Sequence, residues 1–426
     1  MQSTAVIIAA GLGTRMKSAL PKAAHKIGGV PMLRHLVNAA EAVFDRVVVV
    51  VGPDMPALEA LAAPHEVVVQ RERLGTAHAA RQAERTFGEG AVAVFYADNP
   101  LVSQETMRAL LHRLKEGDAG LVLLGMTPPE AGKYGRLVME DGYVARIVEY
   151  ADATPEEREI TLCNAGGLVA QGEDMRNWLE AVRADNAKGE FYLTDIVGIA
   201  QGQGVKVAVL EAPYAECMGV NSRAELAVAE GALQARLRLL AMDSGVSMMA
   251  PETVFLSADT VLEADVSVGP YVVFGPGVRV AAGAEIKAFS HLEGCVVREG
   301  AMVGPYARLR PGADIGAGAH VGNFVEVKAA SLGAGAKANH LSYIGDAEIG
   351  AGTNVGAGTI TCNYDGKKKH RTKIGAGVFI GSNSSLVAPI SIGDGALVAA
   401  GSTLTEDVAA GARAFGRARQ VNKAKG

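Results

Sequence analysis

Ala313-Asp314-Ile315-Gly316-Ala317-Gly318-Ala319-His320-Val321-Gly322 decides the fold of this chain. It reads small, any residue, aliphatic, glycine, and six residues later it reads the same again. Working outward, aliphatic or aromatic residues hold every sixth position at Val268, Phe274, Val280, Ile286 and Leu292. After a one-residue slip they resume at Val297, Val303, Leu309, Ile315, Val321 and Val327, and later at Ile374, Ile380, Leu386, Ile392, Val398 and Leu404. A period of six fits neither a helix nor a simple amphipathic strand. It fits a short strand and a bend, repeated. Residues two apart share a strand face, so Ala313 and Ile315, or Thr353 and Val355, should both point inward. The glycine should serve the corner, where φ is positive and no Cβ fits. Three such faces close a coil, and stacked coils make a parallel β-helix.

This spacing resembles the left-handed hexapeptide acyltransferases, and the left hand is implied by that resemblance. A low-complexity linker would not keep aliphatic residues in register over this length. The repeats also account for the composition. Glycine numbers 52 of 426 residues and aromatics are only 5%, because the inside of a narrow coil has no room for rings. The net charge of −5 gives no reason to expect nucleic acid or a membrane surface as partner. Four scattered cysteines with no CxxC pair suggest a reducing cytoplasm. The first residues read as a strand, with neither a signal peptide nor a membrane span.

Ahead of the repeats, residues 1–221 alternate strands and helices. Ala5–Ala10, Val47–Val51, Val67–Val69 and Val92–Tyr96 are strand candidates, with helical patterns at Met32–Val43 and Thr76–Thr86. This predicts an open α/β sheet of the Rossmann-like kind, with ligands at the carboxyl ends of its strands. Residues 222–249 read as a linker helix, and 250–426 as the β-helix with a short basic tail.

The loop Ala9-Ala10-Gly11-Leu12-Gly13-Thr14-Arg15-Met16 follows the first strand, with Pro21-Lys22 behind it. A glycine turn at a strand end offers N–H groups to phosphates, and Arg15 and Lys22 would add positive charge. By itself the turn could equally be a tight strand–helix connection. With Pro21-Lys22 the pattern resembles the nucleoside-diphosphate-sugar pyrophosphorylases, which join a sugar 1-phosphate to a nucleoside triphosphate. The resemblance extends in order through Gln70, Leu74-Gly75-Thr76-Ala77, Tyr96-Ala97-Asp98, Tyr134-Gly135-Arg136, Ile147-Val148-Glu149, Asn164 and Gly219-Val220-Asn221. It implies that Gln70, Gly75 and Thr76 hold the uracil nucleotide. It also implies that Gly135, Glu149 and Asn164 hold the sugar, and that Asp98 and Asn221 bind Mg²⁺. Ala97 and Ala165 depart from the glycine and threonine usual in the family.

In the repeats, polar residues interrupt the pattern at Arg308, Arg310, Glu326, Lys328, Asn339-His340, Tyr343, Asn354 and Asn363-Tyr364-Asp365. They should project outward and gather into a site. With Ala307–Gly312, His320–Glu326 and Gly356–Gly366 they resemble the bacterial bifunctional enzymes that acetylate glucosamine 1-phosphate and then uridylylate the N-acetylglucosamine 1-phosphate formed. That resemblance spans nearly the whole chain.

It implies His340 as general base, taking a proton from the substrate amine, with Asn363 and Ser382 orienting the acetyl group and stabilising the oxyanion. Arg310, Lys328, Tyr343 and Asn354 would bind the sugar phosphate, and Glu326 would orient His340. Ala357, Asn363, Tyr364, Ser382, Ala400 and Arg417 would bind acetyl-CoA. UTP and Mg²⁺ would serve the first domain, and the assembly would be a homotrimer. The run Lys367–Arg371 must loop out, either as a solvated charged loop or as one that reaches phosphates of the acyl carrier or a neighbouring subunit's site. Two other readings fit fewer residues. A single-activity nucleotidyltransferase with a regulatory β-helix would lack the His340 and Asn363-Tyr364-Asp365 set. A non-catalytic scaffold would leave the phosphate loop and Asp98 without a purpose.

Overall fold

The structure, a computed structural model, describes residues 2–186 and 189–424. The chain forms two compact units, Met1–Leu233 and Gln234–Gly426. The division falls inside the 21-residue helix Arg223–Asp243.

The first unit is built on a nine-stranded sheet. Strand Thr4–Ile8 lies at its centre, parallel to Arg46–Val51 on one side and Ala91–Tyr96 on the other. Glu66–Val69 extends the sheet beyond Arg46–Val51. The all-valine run is explained by burial on both faces. Val47, Val49 and Val51 enter one apolar cluster, and Val48 and Val50 enter the other. Helix Met32–Glu41 covers the first face through Leu33, Leu36 and Val37, and helix Thr76–Gln82 covers the second through Ala77 and Ala80. The sheet is mixed, which strand-and-helix alternation did not foretell. Cys163–Gln171 runs antiparallel between Ala91–Tyr96 and Leu121–Met126.

The second unit is a parallel β-helix of three sheets. Ser267 pairs with Glu285, eighteen positions on, so three six-residue faces make one coil. The one-residue slip of the pattern is a short coil, in which Arg279 pairs with Val296. The recurring aliphatic residues and the small residues two before them fill one continuous core. Val268, Val303, Ile315, Ile380 and Val398 are buried, and so are Ala313, Ala319 and Ala396. Thr353 is buried too, with its hydroxyl bonded to the Gly375 carbonyl and the Val378 amide.

The glycines divide into two kinds. Those right after the aliphatic residue do not have positive φ, Gly304 at φ 95° excepted. They are needed because the coils lie so close: a Cβ on Gly316 would stand 2.5 Å from the Leu332 carbonyl oxygen, and one on Gly393 would stand 2.4 Å from the Ala410 nitrogen. The left-handed conformation comes two residues later, at Gly318 and Gly395. Gly322 belongs to the first kind, since a Cβ there would meet the Asn339 carbonyl oxygen at 2.0 Å. Gly322→Ala is therefore expected to destabilise the β-helix by ~1–3 kcal/mol. A calorimetric melt indistinguishable from the parent's would show that the coils can separate there at no cost.

Candidate functional site

In the first unit, residues from five loops meet at the carboxyl ends of the central strands. They line a cavity of about 250 Å³ that includes Ala9, Ala10, Gly11, Lys22, Gln70, Gly75, Thr76, Tyr96, Ala97 and Asp98. The loop after the first strand is anchored by the Ala9 amide on the Val50 carbonyl. Gly13, at φ 63°, is the glycine this turn requires, because a Cβ there would strike the Lys22 side chain at 2.5 Å. Lys22 is thereby aimed inward. Its ammonium stands 2.6 Å from Asp98 Oδ2 and 2.9 Å from Asn221 Oδ1. Asn221 reaches this point because the Val220 amide donates to the Asp98 carbonyl at 2.7 Å.

Gln70 is buried, and its Nε2 donates to the Gly75 carbonyl at 3.0 Å and meets His78 Nδ1 at 3.1 Å. Gly75 is at φ 119°, packed against the Phe191 backbone, and the Thr76 hydroxyl accepts from the Leu193 amide. Burial pushes the Tyr96 hydroxyl well above its ordinary pKa, and the nearby Asp98 and Glu149 carboxylates add to that while a bond to Thr76 opposes it. Glu149 lies beside Gly135, and the Asn164 amide donates to the Gly135 carbonyl at 2.8 Å, so these three share one place outside the cavity lining.

Two departures from the sequence reading stand out, beside a structural residue within the sugar-binding stretch. Arg136 is a buried structural residue whose guanidinium donates to the carbonyls of Ala131, Gly132, Tyr134 and Arg158, so it has no hydrogens left for a sugar. Arg15 lies exposed on the short turn Thr14–Met16 and does not line the cavity. Arg73, Glu190 and Tyr192 line it and were not foreseen. Arg73 could have been suspected from its place between Gln70 and Gly75. It donates from Nε to the Ala10 carbonyl at 2.9 Å.

In the β-helix the polar residues form two groups. The first is a column at one corner of successive coils. The Leu341 amide bonds the Asn323 carbonyl, Gly358 bonds His340, Asn383 bonds Ala357, and Gly401 bonds Ser382. Asn323, His340, Ala357, Ser382 and Ala400 thus occupy equivalent corner positions one above another. Arg417 passes beside this column near Gly401. His340 is exposed, and its Nδ1 stands 2.6 Å from Asn323 Oδ1.

The second group gathers charge. Glu326 binds Arg310 at 2.9 Å and Arg308 at 3.4 Å. This corrects the expected role of Glu326, since it is committed to arginines and Asn323 takes the place beside His340. Lys328 binds Asp346 at 3.2 Å. Asn363 is buried, and its amide nitrogen donates to Asp346 and, at 3.5 Å, to the Tyr343 hydroxyl. In this arrangement its N–H groups are engaged and only its oxygen is free, contrary to an oxyanion-donor role. Although burial opposes it, Asn363 and Lys328 hold the Asp346 carboxyl below its ordinary pKa. Asp346 was missed because an Asp in a Gly-Asp pair reads as a turn residue.

Tyr364 is exposed, its hydroxyl on the Gly366 carbonyl, and Asn354 begins the strand Asn354–Val355 in another sheet. The run Lys367–Arg371 closes as a hairpin on its own chain. The His370 amide donates to the Asn363 carbonyl, and Asp365 accepts from the amides of Lys367 and Lys368 and bonds the His370 ring. Those contacts, led by Lys368, bring the Asp365 carboxyl down to about 2. Lys369 returns against Lys328, whose charge lowers its pKa.

A cation-lined cavity at the strand ends of an α/β sheet, and a histidine-bearing column on a hexapeptide β-helix, define a nucleotidyltransferase joined to an acyltransferase. The MobA-like NTP transferase domain family matches residues 5–158, and the bacterial transferase hexapeptide family matches 294–329. The hexapeptide repeat of succinyl-transferase matches 371–406. The bifunctional protein GlmU of Gluconacetobacter diazotrophicus is 65% identical over 99% of this chain and 92% of its own length. That of Acidiphilium cryptum is 63% identical over 99% and 97%. The chain belongs to the GlmU family. It is a bifunctional enzyme, with a nucleotidyltransferase domain followed by a left-handed hexapeptide β-helix acetyltransferase domain, and it serves UDP-N-acetylglucosamine synthesis.

Proposed function

We propose the following division of labour. The β-helix transfers acetyl from acetyl-CoA to the amine of glucosamine 1-phosphate. The first domain then joins the resulting N-acetylglucosamine 1-phosphate to UMP from UTP, releasing pyrophosphate. The observation that carries this is convergence: residues far apart in sequence, Lys22, Asp98 and Asn221, meet at one point in the first unit.

At that point the sugar-phosphate oxygen attacks the α-phosphorus in line. Both reactants are anions, so positioning and positive charge do most of the work. Lys22 holds phosphate, and Arg15 approaches from its exposed turn. Gln70 has its amide nitrogen on Gly75, so its oxygen is left to accept from the uracil imide. The donor set also fits Mg²⁺, which takes oxygen ligands and keeps waters and phosphates in its shell. Asp98 and Asn221 already turn one oxygen each toward a shared cation, the Lys22 ammonium. With one carboxylate and one amide oxygen from the protein, phosphates and waters would complete the shell. When bound, Mg²⁺ supplies charge neutralisation at the triphosphate.

In the β-helix, Arg310, Lys328 and Lys369 take the sugar phosphate, with Tyr343 and Asn354 on the sugar. His340 removes the amine proton, and the Ser382 hydroxyl, in the same column, is the oxyanion donor. Asn363 and Tyr364 border the acetyl group. Ala357, Ala400 and Arg417 take the coenzyme. The assembly is a homotrimer in which copies of the small-residue β-helix faces pack together. The four free thiols suit a reducing cytoplasm, and no described helix is long and apolar enough to cross a membrane.

The purified chain, given glucosamine 1-phosphate, acetyl-CoA, UTP and Mg²⁺, is expected to make UDP-N-acetylglucosamine. Withholding acetyl-CoA should stop both steps, and withholding UTP or Mg²⁺ should stop only the second. Product formed without acetyl-CoA would overturn this order.

A further inference from the structure

His340 is the base in the proposed reaction, and an imidazole serves as a base only through a nitrogen that carries no proton. Which nitrogen that is depends on what the other one bonds. Strands His320–Asn323 and Lys337–His340 pair in parallel, with Asn323 directly opposite His340. Gly322 lets the two strands come this close. Phe324 and Leu341, the next residues, both take the left-handed corner conformation, at φ 55° and 52°. Two side chains leaving equivalent corners at the same point of the bend are thereby laid side by side. Asn323 Oδ1 and His340 Nδ1 are 2.6 Å apart. At that separation the amide oxygen must face the ring, because two donor nitrogens would repel.

We propose that Asn323 is a positioning residue for acetyl transfer. It accepts the Nδ1–H of His340, so the proton is held on Nδ1, the ring is oriented, and Nε2 is left as the basic nitrogen. The inference rests on the reading of His340 as base. Nε2 forms no hydrogen bond among the described residues, and none of their charged side chains bonds the ring. Glu326, the carboxylate expected beside the ring, is taken by Arg308 and Arg310. The His340 backbone carbonyl is held by the Ser342 hydroxyl and the Gly358 amide. An uncharged partner has a physical consequence. A carboxylate in that place would stabilise the imidazolium and keep the base protonated to higher pH, whereas an amide oxygen fixes the tautomer without bringing a charge.

The test compares Asn323→Ala, Asn323→Asp and His340→Ala in the full chain, with a calorimetric melt as the check on folding and uridylyl transfer as the control activity. Asn323→Ala is expected to lower kcat for acetyl transfer about 10–100-fold, the range seen when the partner of a working imidazole is removed. KM for both substrates should stay within about twofold, since in this proposal the asparagine acts only through the base. Asn323→Asp is expected to move the acid limb of kcat/KM to higher pH by about one unit. It should recover most of the rate above that limb, because a carboxylate accepts the same N–H. If both Asn323 variants match the parent in kcat and in pH profile while His340→Ala is inactive, the positioning role is wrong and the base assignment stands. If His340→Ala keeps its activity, the base assignment itself is wrong.

Discussion

His340→Ala is expected to lower acetyl transfer by ~10²–10⁴-fold, the range a positioned general base contributes, and to leave uridylyl transfer near the parent rate. An ammonium cannot attack a thioester, and even the free amine must shed a proton as the C–N bond forms. His340 is the only histidine in the column that also holds Ser382 and the proposed coenzyme positions Ala357 and Ala400. Its ring is exposed, so truncation removes no core packing and opens no cavity. A stability change would therefore be small, and the loss should fall on kcat while KM changes little. The two activities reside in separate compact units, so uridylylation with supplied N-acetylglucosamine 1-phosphate is the internal control. Equal loss of both activities in a folded protein would assign His340 to structure.

Much of this was legible because both architectures write themselves in period. The six-residue repeat names core positions of the β-helix over 268–327 and 374–404, since a narrow coil admits one aliphatic and one small residue per face, but it does not name Leu332, Ile344 or Ile349 between those runs. The valine run Val47–Val51 names a central strand by being apolar on both faces. What the sequence hides is side-chain partnership. Nothing in the spacing distinguishes Glu326 bound to arginines from Glu326 beside a histidine, because both places lie on neighbouring coils. Arg136 stands inside a stretch that resembles a sugar-binding element, and nothing in the sequence shows that its guanidinium is saturated by carbonyls. Asp346 and Asn323 read as turn residues, as Asp and Asn so often are. Only the register of one coil on the next shows which of them face a functional group. Glu190 and Tyr192 reach the nucleotide cavity from a segment with no motif, brought there by the Phe191 backbone bonding Leu74 and Ala77.

Asp98→Ala is expected to lower uridylyl transfer by at least ~10²-fold at ordinary Mg²⁺ and to leave acetyl transfer unchanged, the reverse of the His340 pattern. Among the described residues, Asp98 is the carboxylate bonded to the Lys22 ammonium, which also meets Asn221 Oδ1. Removing it takes away one of the two protein oxygens offered to a cation and leaves Lys22 with an amide partner alone. A lost electrostatic partner in a preorganised phosphate site commonly costs 10²–10³-fold. Asp98→Asn separates charge from shape. It keeps an oxygen at the same reach but removes the negative charge, so it should require more Mg²⁺ for half-maximal rate than the parent, with partial recovery at high metal. The fold should survive either change, because Asp98 is held to Val220 through its backbone carbonyl and the side chain is not needed for that bond. Uridylylation by Asp98→Ala at the parent rate and the parent Mg²⁺ requirement would remove Asp98 from the metal site. The convergence with Lys22 and Asn221 would then be a structural ion pair.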